Sequence, residues 1–152
     1  MKLSLVVCSH EEKSNMKNFF DKTIKSIDLL YRASDNGFLA SKFHEKCDGI
    51  VNTLTVIETE FSRKIGGFTH LAWNSPPQGS EYKADNSNES FIFSLTNNDK
   101  FTLRTREHAV LNGRAYGPTF GGGFDFYVCD KADSQNLSYA NVCRTYNNNN
   151  YR

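Results

Sequence analysis

The chain lacks an imbalance of charge: 18 Lys plus Arg stand against 17 Asp plus Glu in 152 residues, a net charge of +1. That balance removes the electrostatic drive used by partners of nucleic acid, anionic lipid or acidic substrates, so partners have to be found by local complementarity. Cysteine is scarce too. Cys8, Cys47, Cys129 and Cys143 are too few and too scattered for the disulfide framework of a small secreted domain, and reduced, buried thiols are the simpler expectation. Long apolar runs are missing. Residues 1–8 carry one basic residue and a short apolar segment that stops at Ser9-His10-Glu11-Glu12. A secretory signal needs a longer apolar region, and a membrane span needs roughly 20 apolar residues. A cytoplasmic chain without a membrane span is therefore expected. The sequons Asn88-Glu89-Ser90 and Asn136-Leu137-Ser138 read as chance matches in a chain rich in Asn and Ser.

What is present is aromatic bulk. Twelve Phe, seven Tyr and one Trp supply large apolar groups for one globular core, and no repeat or linker divides the chain. Met16, Phe19, Phe20, Ile24 and Ile27 recur at helical spacing behind Ser14, which predicts an amphipathic helix capped there. Leu29-Leu30-Tyr31-Arg32 reads as a short strand running into the turn or cap cluster Ser34-Asp35-Asn36-Gly37. Leu39, Phe43 and Cys47 fall four apart on one helical face, and Asp48-Gly49 ends that second, shorter helix.

From Thr53 the pattern changes to β-branched residues. Residues 53–59 and 68–73 read as paired strands separated by Gly66-Gly67, and residues 74–89, with Pro76, Pro77 and Gly79, read as a long loop. Residues 90–95 and 100–106 flank the hairpin turn Thr96-Asn97-Asn98-Asp99. Residues 124–129 follow Gly121-Gly122-Gly123 as another strand, and the Asn-rich residues 147–152 read as a solvated tail. The expected fold is α+β and mainly β: an antiparallel two-sheet β-sandwich flanked by a few short helices. Residues 1–28 form an N-terminal strand and helix element of the same domain, and residues 29–146 form its body. Leu30, Phe43, Leu54, Val56, Phe91, Phe93, Phe120 and Phe126 are the expected core.

The motifs of common chemistry fail on inspection. His44-Glu45-Lys46-Cys47 lacks the second histidine of a zinc-protease helix, since position 48 is Asp. His44 and Cys47 with Cys129 or Cys143 contain no second close pair of zinc ligands, so no metal and no cofactor are expected. Gly121-Gly122-Gly123 is followed by a strand-like run rather than the helix of a phosphate loop. These glycines, with Gly66 and Gly67, are read as structural, serving sharp bends or close packing. No serine sits in Gly-x-Ser-x-Gly, and Glu45, Glu58, Glu60 and Glu89 read as solvated or strand-edge carboxylates.

The residues do resemble a family. Leu29-Leu30-Tyr31-Arg32-Ala33-Ser34, then Gly37-Phe38, then Phe43-His44-x-Lys46-Cys47-Asp48, closely resembles the opening block of TLDc domains of the oxidation-resistance type. Thr53-Leu54-Thr55-Val56-Ile57, then Gly66-Gly67-Phe68-Thr69 and Trp73, is similar to a second block, and Ser90-Phe91-Ile92-Phe93-Ser94-Leu95 to a third. Gly117-Pro118-x-Phe120-Gly121-Gly122-Gly123-x-Asp125 is similar to a fourth. Two departures stand out. Asn36-Gly37-Phe38 replaces the usual Asp-Gly-Phe, and the chain stops at Arg152, where the family usually continues into a closing acidic and apolar strand. Lack of that strand is expected to leave an unpaired sheet edge.

The resemblance implies a sandwich flanked by helices, a link to oxidative-stress resistance, and binding of the vacuolar proton-pumping ATPase through its peripheral subunits. It implies no agreed active site, so a non-enzymatic protein-binding module is the leading expectation. The alternatives are a thiol antioxidant using Cys47, Cys129 or Cys143, with Arg144 the only basic neighbour, and a structural component of a larger assembly. The candidate contact surface is the polar rim of Arg32, Asp35, Asn36 and His44, gathered around a turn and a helix start.

Overall fold

The computed structural model describes residues 9–142 and 144–147. Among the described residues three short helices, α1 (His10–Asn18), α2 (Ala33–Asn36) and α3 (Ala40–Cys47), precede ten strands. The strands are β1 (Thr53–Glu58), β2 (Lys64–Thr69), β3 (Ser80–Lys83), β4 (Phe91–Ser94), β5 (Asp99–Leu103), β6 (Val110–Gly113), β7 (Tyr116–Phe120), β8 (Phe126–Cys129), β9 (Tyr139–Ala140) and β10 (Tyr146–Asn147). They form two five-stranded sheets in the orders β1-β2-β4-β5-β10 and β3-β6-β7-β8-β9. Every neighbouring pair is antiparallel. The fold is thus a mainly β, α+β sandwich with flanking helices.

Strand alternation divides the core in two. Ile92 points between the sheets, where it joins Phe43, Cys47, Trp73, Leu103, Val110, Phe120, Phe126 and Tyr146. Its neighbours Phe91 and Phe93 point the other way and pack with Met16, Phe19 and Leu95 beneath α1. Phe19 stacks on Phe93 at 5.5 Å between ring centroids. Of the expected core, Phe43, Phe91, Phe93, Phe120 and Phe126 are buried, and Leu54 and Val56 are half-buried at the edge of the α1 cluster.

Several expectations need correction. α1 is capped by Ser9, not Ser14: the Ser9 hydroxyl accepts from the Glu12 N–H while the Glu12 carboxylate accepts from the Ser9 N–H. The helix ends at Asn18, so Ile24 and Ile27 lie outside it. Residues 29–32 form no strand, and Leu30 is 41% exposed. Local side-chain bonds take over that backbone: Asn36 Oδ1 accepts from the Arg32 N–H, and the Tyr31 hydroxyl donates to the Gly37 carbonyl. Leu39 sits at the N-cap of α3 and is exposed rather than continuing the buried face.

Gly66 and Gly67 lie inside β2 rather than between strands, and the β1–β2 turn falls at residues 59–63. A Cβ on Gly66 would strike the Thr55 carbonyl oxygen and come within 2.6 Å of the Phe93 ring. One on Gly67 would come within 2.7 Å of the Phe120 ring. Strand β2 is therefore a place where aromatic rings on both faces need the room a side chain would take. The expected long loop contains β3, paired with β6, and the β6–β7 hairpin was not anticipated. Asn147, assigned to the tail, pairs with Thr102 in β10. Residues 148–152, Cys8 and Cys143 lie outside the described residues. Among the described residues, no helix is long and apolar enough to cross a membrane.

Candidate functional site

Helix α3 carries a connected polar constellation beside a surface cleft that it lines. Its first N–H, from Ala40, donates to Asp130 Oδ1 at 2.7 Å, so a carboxylate at the end of β8 satisfies the helix start. The opposite end stops at Asp48, and Gly49, with a φ of 79°, donates its N–H to the Trp73 carbonyl. Phe43, His44 and Cys47 face inward, and the His44 ring lies edge-on to Phe43 at 5.0 Å.

His44 is only 6% exposed. Its Nε2 donates to the carbonyl oxygens of Gly113 and Tyr116, each at 2.9 Å, and its Nδ1 meets Asp48 Oδ1 at 2.7 Å. The other carboxylate oxygen, Oδ2, accepts the Ser75 hydroxyl at 2.6 Å. A shallow cleft of about 430 Å³ opens over this group, lined by Ser41, His44, Glu45, Asp48, Ser75 and Arg114.

Serine, aspartate and histidine are present, but in an order that does not activate the serine. A nucleophilic serine needs an imidazole nitrogen as base, with the carboxylate behind the imidazole. Here the carboxylate stands between them, and both imidazole nitrogens are engaged by oxygen acceptors. What the geometry does achieve is mechanical. It ties α3, the segment after Trp73 and the β6–β7 turn together through charge-assisted bonds in a mostly buried setting.

The sequence-nominated rim separates into two places. Arg32 pairs with Asp35 at 3.2 Å, and Asn36 receives the Arg32 N–H, so all three serve the one-turn helix α2. His44 does not join them on an open surface; it is turned into the domain, contrary to the surface position expected for it. Beside the exposed Ser34, Asp35 and Asn36, the segments flanking α2 also expose apolar side chains: Leu29, Leu30, Phe38 and Leu39.

The glycine run folds into a turn locked from within. Gly121 and Gly123 take φ of 88° and 78°, and a Cβ on Gly121 would strike the Asp125 carboxylate. The N–H groups of Gly121 and Gly122 donate to Ala109 O and Thr145 Oγ1, so neither is directed at a ligand. Asp125, 1% exposed, accepts from the backbone N–H groups of Arg144, Thr145 and Tyr146. Asp85, fully buried, plays a parallel part for the N–H groups of Ser87, Asn88, Glu89 and Ser90. Sequence reading missed Asp85, although Asp85-Asn86-Ser87-Asn88 is recognisable turn chemistry.

The two described thiols, Cys47 and Cys129, are sequestered. Burial, reinforced by Asp48, pushes the Cys47 thiol up to about 11. Cys129 is buried, accepting from the Ser138 hydroxyl at 3.2 Å and donating to the Gln135 carbonyl at 3.4 Å. Among the described residues no three His, Cys, Asp or Glu side chains gather at metal-binding spacing.

Comparison with curated proteins gives no match. Comparison with protein families does: the model described as TLDc domain matches residues 5–151, nearly the whole chain and every element from α1 to β10. This chain belongs to the TLDc domain family.

Proposed function

We propose that this domain is a non-enzymatic protein-binding module that acts in oxidative-stress resistance by engaging peripheral subunits of the vacuolar proton-pumping ATPase. The observation that carries the reading is the engagement of its polar groups. Ser75, Asp48 and His44 are spent on one another and on backbone carbonyls. Cys47, held as a thiol, is a poor nucleophile, since the thiolate is the reactive form. The exposed apolar side chains Leu29, Leu30, Phe38 and Leu39 around α2 supply the kind of surface a protein partner covers.

The test is capture of purified peripheral pump sectors by the immobilised chain, beside thermal melts. Binding lost in Phe38→Asp at an unchanged melting temperature supports the reading, and absence of any capture by the wild-type chain overturns the choice of partner. Arg32→Glu should lower stability by about 0–1 kcal/mol, because it breaks one partly exposed ion pair. Protection of cells from peroxide should survive Cys→Ser at Cys8, Cys129 and Cys143. Peroxide consumption by the purified protein that disappears on changing one cysteine would replace the module with a thiol enzyme.

A further inference from the structure

The glycine turn is bordered by cations that form no ion pair among the described residues. Arg104 and Arg106, in the segment after β5, and Arg144, beside the turn, are exposed and form no ion pair among the described residues. Backbone bonds draw them to one side of the domain. The Arg104 N–H donates to Thr145 O at 2.7 Å, next to Arg144, and the Arg106 carbonyl accepts from the Asp85 N–H. The Arg144 stem lies across Gly123, with its Cδ and Cζ 3.1 and 3.2 Å from where a Cβ would stand. Two half-exposed tyrosines flank the same glycine. Tyr82 Oη accepts the Gly123 N–H and the Tyr139 hydroxyl donates to the Gly123 carbonyl, each at 3.3 Å. His108 completes the border, edge-on to Tyr82 at 4.6 Å.

We infer that this arginine and tyrosine surface around Gly123 is a docking site for an acidic segment of a partner protein, with partner carboxylates seated on the guanidinium groups and apolar atoms on the tyrosine faces. The inference deepens the binding-module reading and rests on it. Charge complementarity selects the occupant. Asp125, which lies against the turn, and Asp85 are buried and occupied by backbone N–H groups, which leaves the guanidinium groups to pair outward. Those buried charges, with Glu107, also offset the arginines at longer range. An anionic membrane or a nucleic acid reads net charge over a Debye length of about 8–10 Å, and finds little here. A carboxylate side chain reads a single guanidinium fork at contact. Arginine and tyrosine are also the residues that dominate binding energy in protein interfaces.

The test uses the full chain and a fluorescein-labelled peptide of mixed Glu and Tyr, followed by fluorescence anisotropy. A matched peptide with Gln for Glu and vesicles containing phosphatidylserine form the parallel arms. The wild-type chain should bind the Glu peptide in preference to the Gln peptide. Arg104→Glu with Arg144→Glu should weaken that binding about tenfold or more, the combined effect of two exposed ion pairs of ordinary strength. Lys46→Glu, which reverses an exposed cation on α3 outside the proposed surface, should leave it unchanged. Equal binding of both peptides overturns the proposal, as does vesicle binding lost in the arginine variant without any peptide binding. Circular dichroism melts of each variant exclude unfolding as the cause. No peptide binding by a wild-type chain that still captures pump sectors removes this surface alone. Peptide binding without sector capture supports the surface and removes the choice of pump partner.

Discussion

Removing the carboxylate of Asp125 should unfasten the end of the described chain from the sandwich. Asp125 Oδ2 accepts the N–H groups of Thr145 at 2.7 Å and Tyr146 at 3.2 Å, and Oδ1 accepts that of Arg144 at 2.9 Å. Thr145 and Tyr146 are 2% and 0% exposed, so water cannot replace the lost acceptor for them. Each buried donor left without an acceptor costs about 1–3 kcal/mol, and part of the sum returns because a buried charge no longer has to be desolvated. Asp125→Ala should therefore cost about 3–4 kcal/mol. Asp125→Asn keeps one acceptor oxygen for the two buried N–H groups and loses the exposed one, and should cost about 1–2 kcal/mol. Urea unfolding with an unchanged m-value measures both. At about 2–4 °C per kcal/mol for a chain of this size, the alanine variant should melt roughly 10 °C lower. Amide exchange at Tyr146 and Asn147, which pair with β5, should quicken in step. A loss below about 1 kcal/mol for alanine, or an asparagine variant as unstable as the alanine one, would refute the reasoning.

Phe93→Ala should cost about 3–5 kcal/mol, because the ring is 3% exposed and stacked on Phe19, and a urea-measured loss below about 1 kcal/mol would contradict the assigned strand register. At Asp85, burial raises the carboxyl, but hydrogen bonds from Ser90 and Ser87 and the nearby His70 outweigh it and hold the group below its usual range. The ionised form is thus favoured by folding, so its contribution is present above about pH 4 and lost as the pH falls below that. Asp85→Asn should flatten this acid limb in melts taken from pH 5 downward, and an unchanged limb would remove Asp85 from it. Cys47, pushed up to about 11, should resist Ellman's reagent at pH 8 in a chain carrying Cys8→Ser and Cys143→Ser and react only on unfolding; rapid native labelling would reopen thiol chemistry.

Local pattern made part of this structure legible. Phe43 and Cys47 mark the buried face of α3 because period and burial agree there, and the β4–β5 turn, which falls at residues 95–98, is visible within one residue because Asn98 tolerates its φ of 55°. Strand β3 was not legible, since Ser80-Glu81-Tyr82-Lys83 lies mostly exposed at a sheet edge and carries no alternation of apolar residues. Strand β6 hides for the opposite reason. Val110, Leu111, Asn112 and Gly113 are all buried, so both faces are enclosed and one buried residue is an asparagine whose oxygen accepts the Asn74 N–H. His44 misleads in the same way. A polar residue beside Phe43 reads as helix surface, yet its place is set by two carbonyls 69 and 72 residues further along the chain. Such nonlocal partners leave no trace in a window of sequence.

The blocks that identify the family prove to be mainly devices of folding. His44 and Asp48 bind α3 to the β6–β7 turn, Gly66 and Gly67 clear space for Phe93 and Phe120, and Asp125 gathers three backbone N–H groups. Residues committed in this way cannot change partner without cost to stability. Arg104, Arg106, His108 and Arg144 lie outside all four blocks, and their side chains are exposed. Exchanging one for another polar residue would alter the surface while leaving both core clusters intact. Recognition on this scaffold is therefore separable from folding, and the motif that reveals membership of the family is a poor guide to the partner. Arg144 shows the separation within one residue: its N–H belongs to the Asp125 lock, and its guanidinium is left to whatever docks beside Gly123.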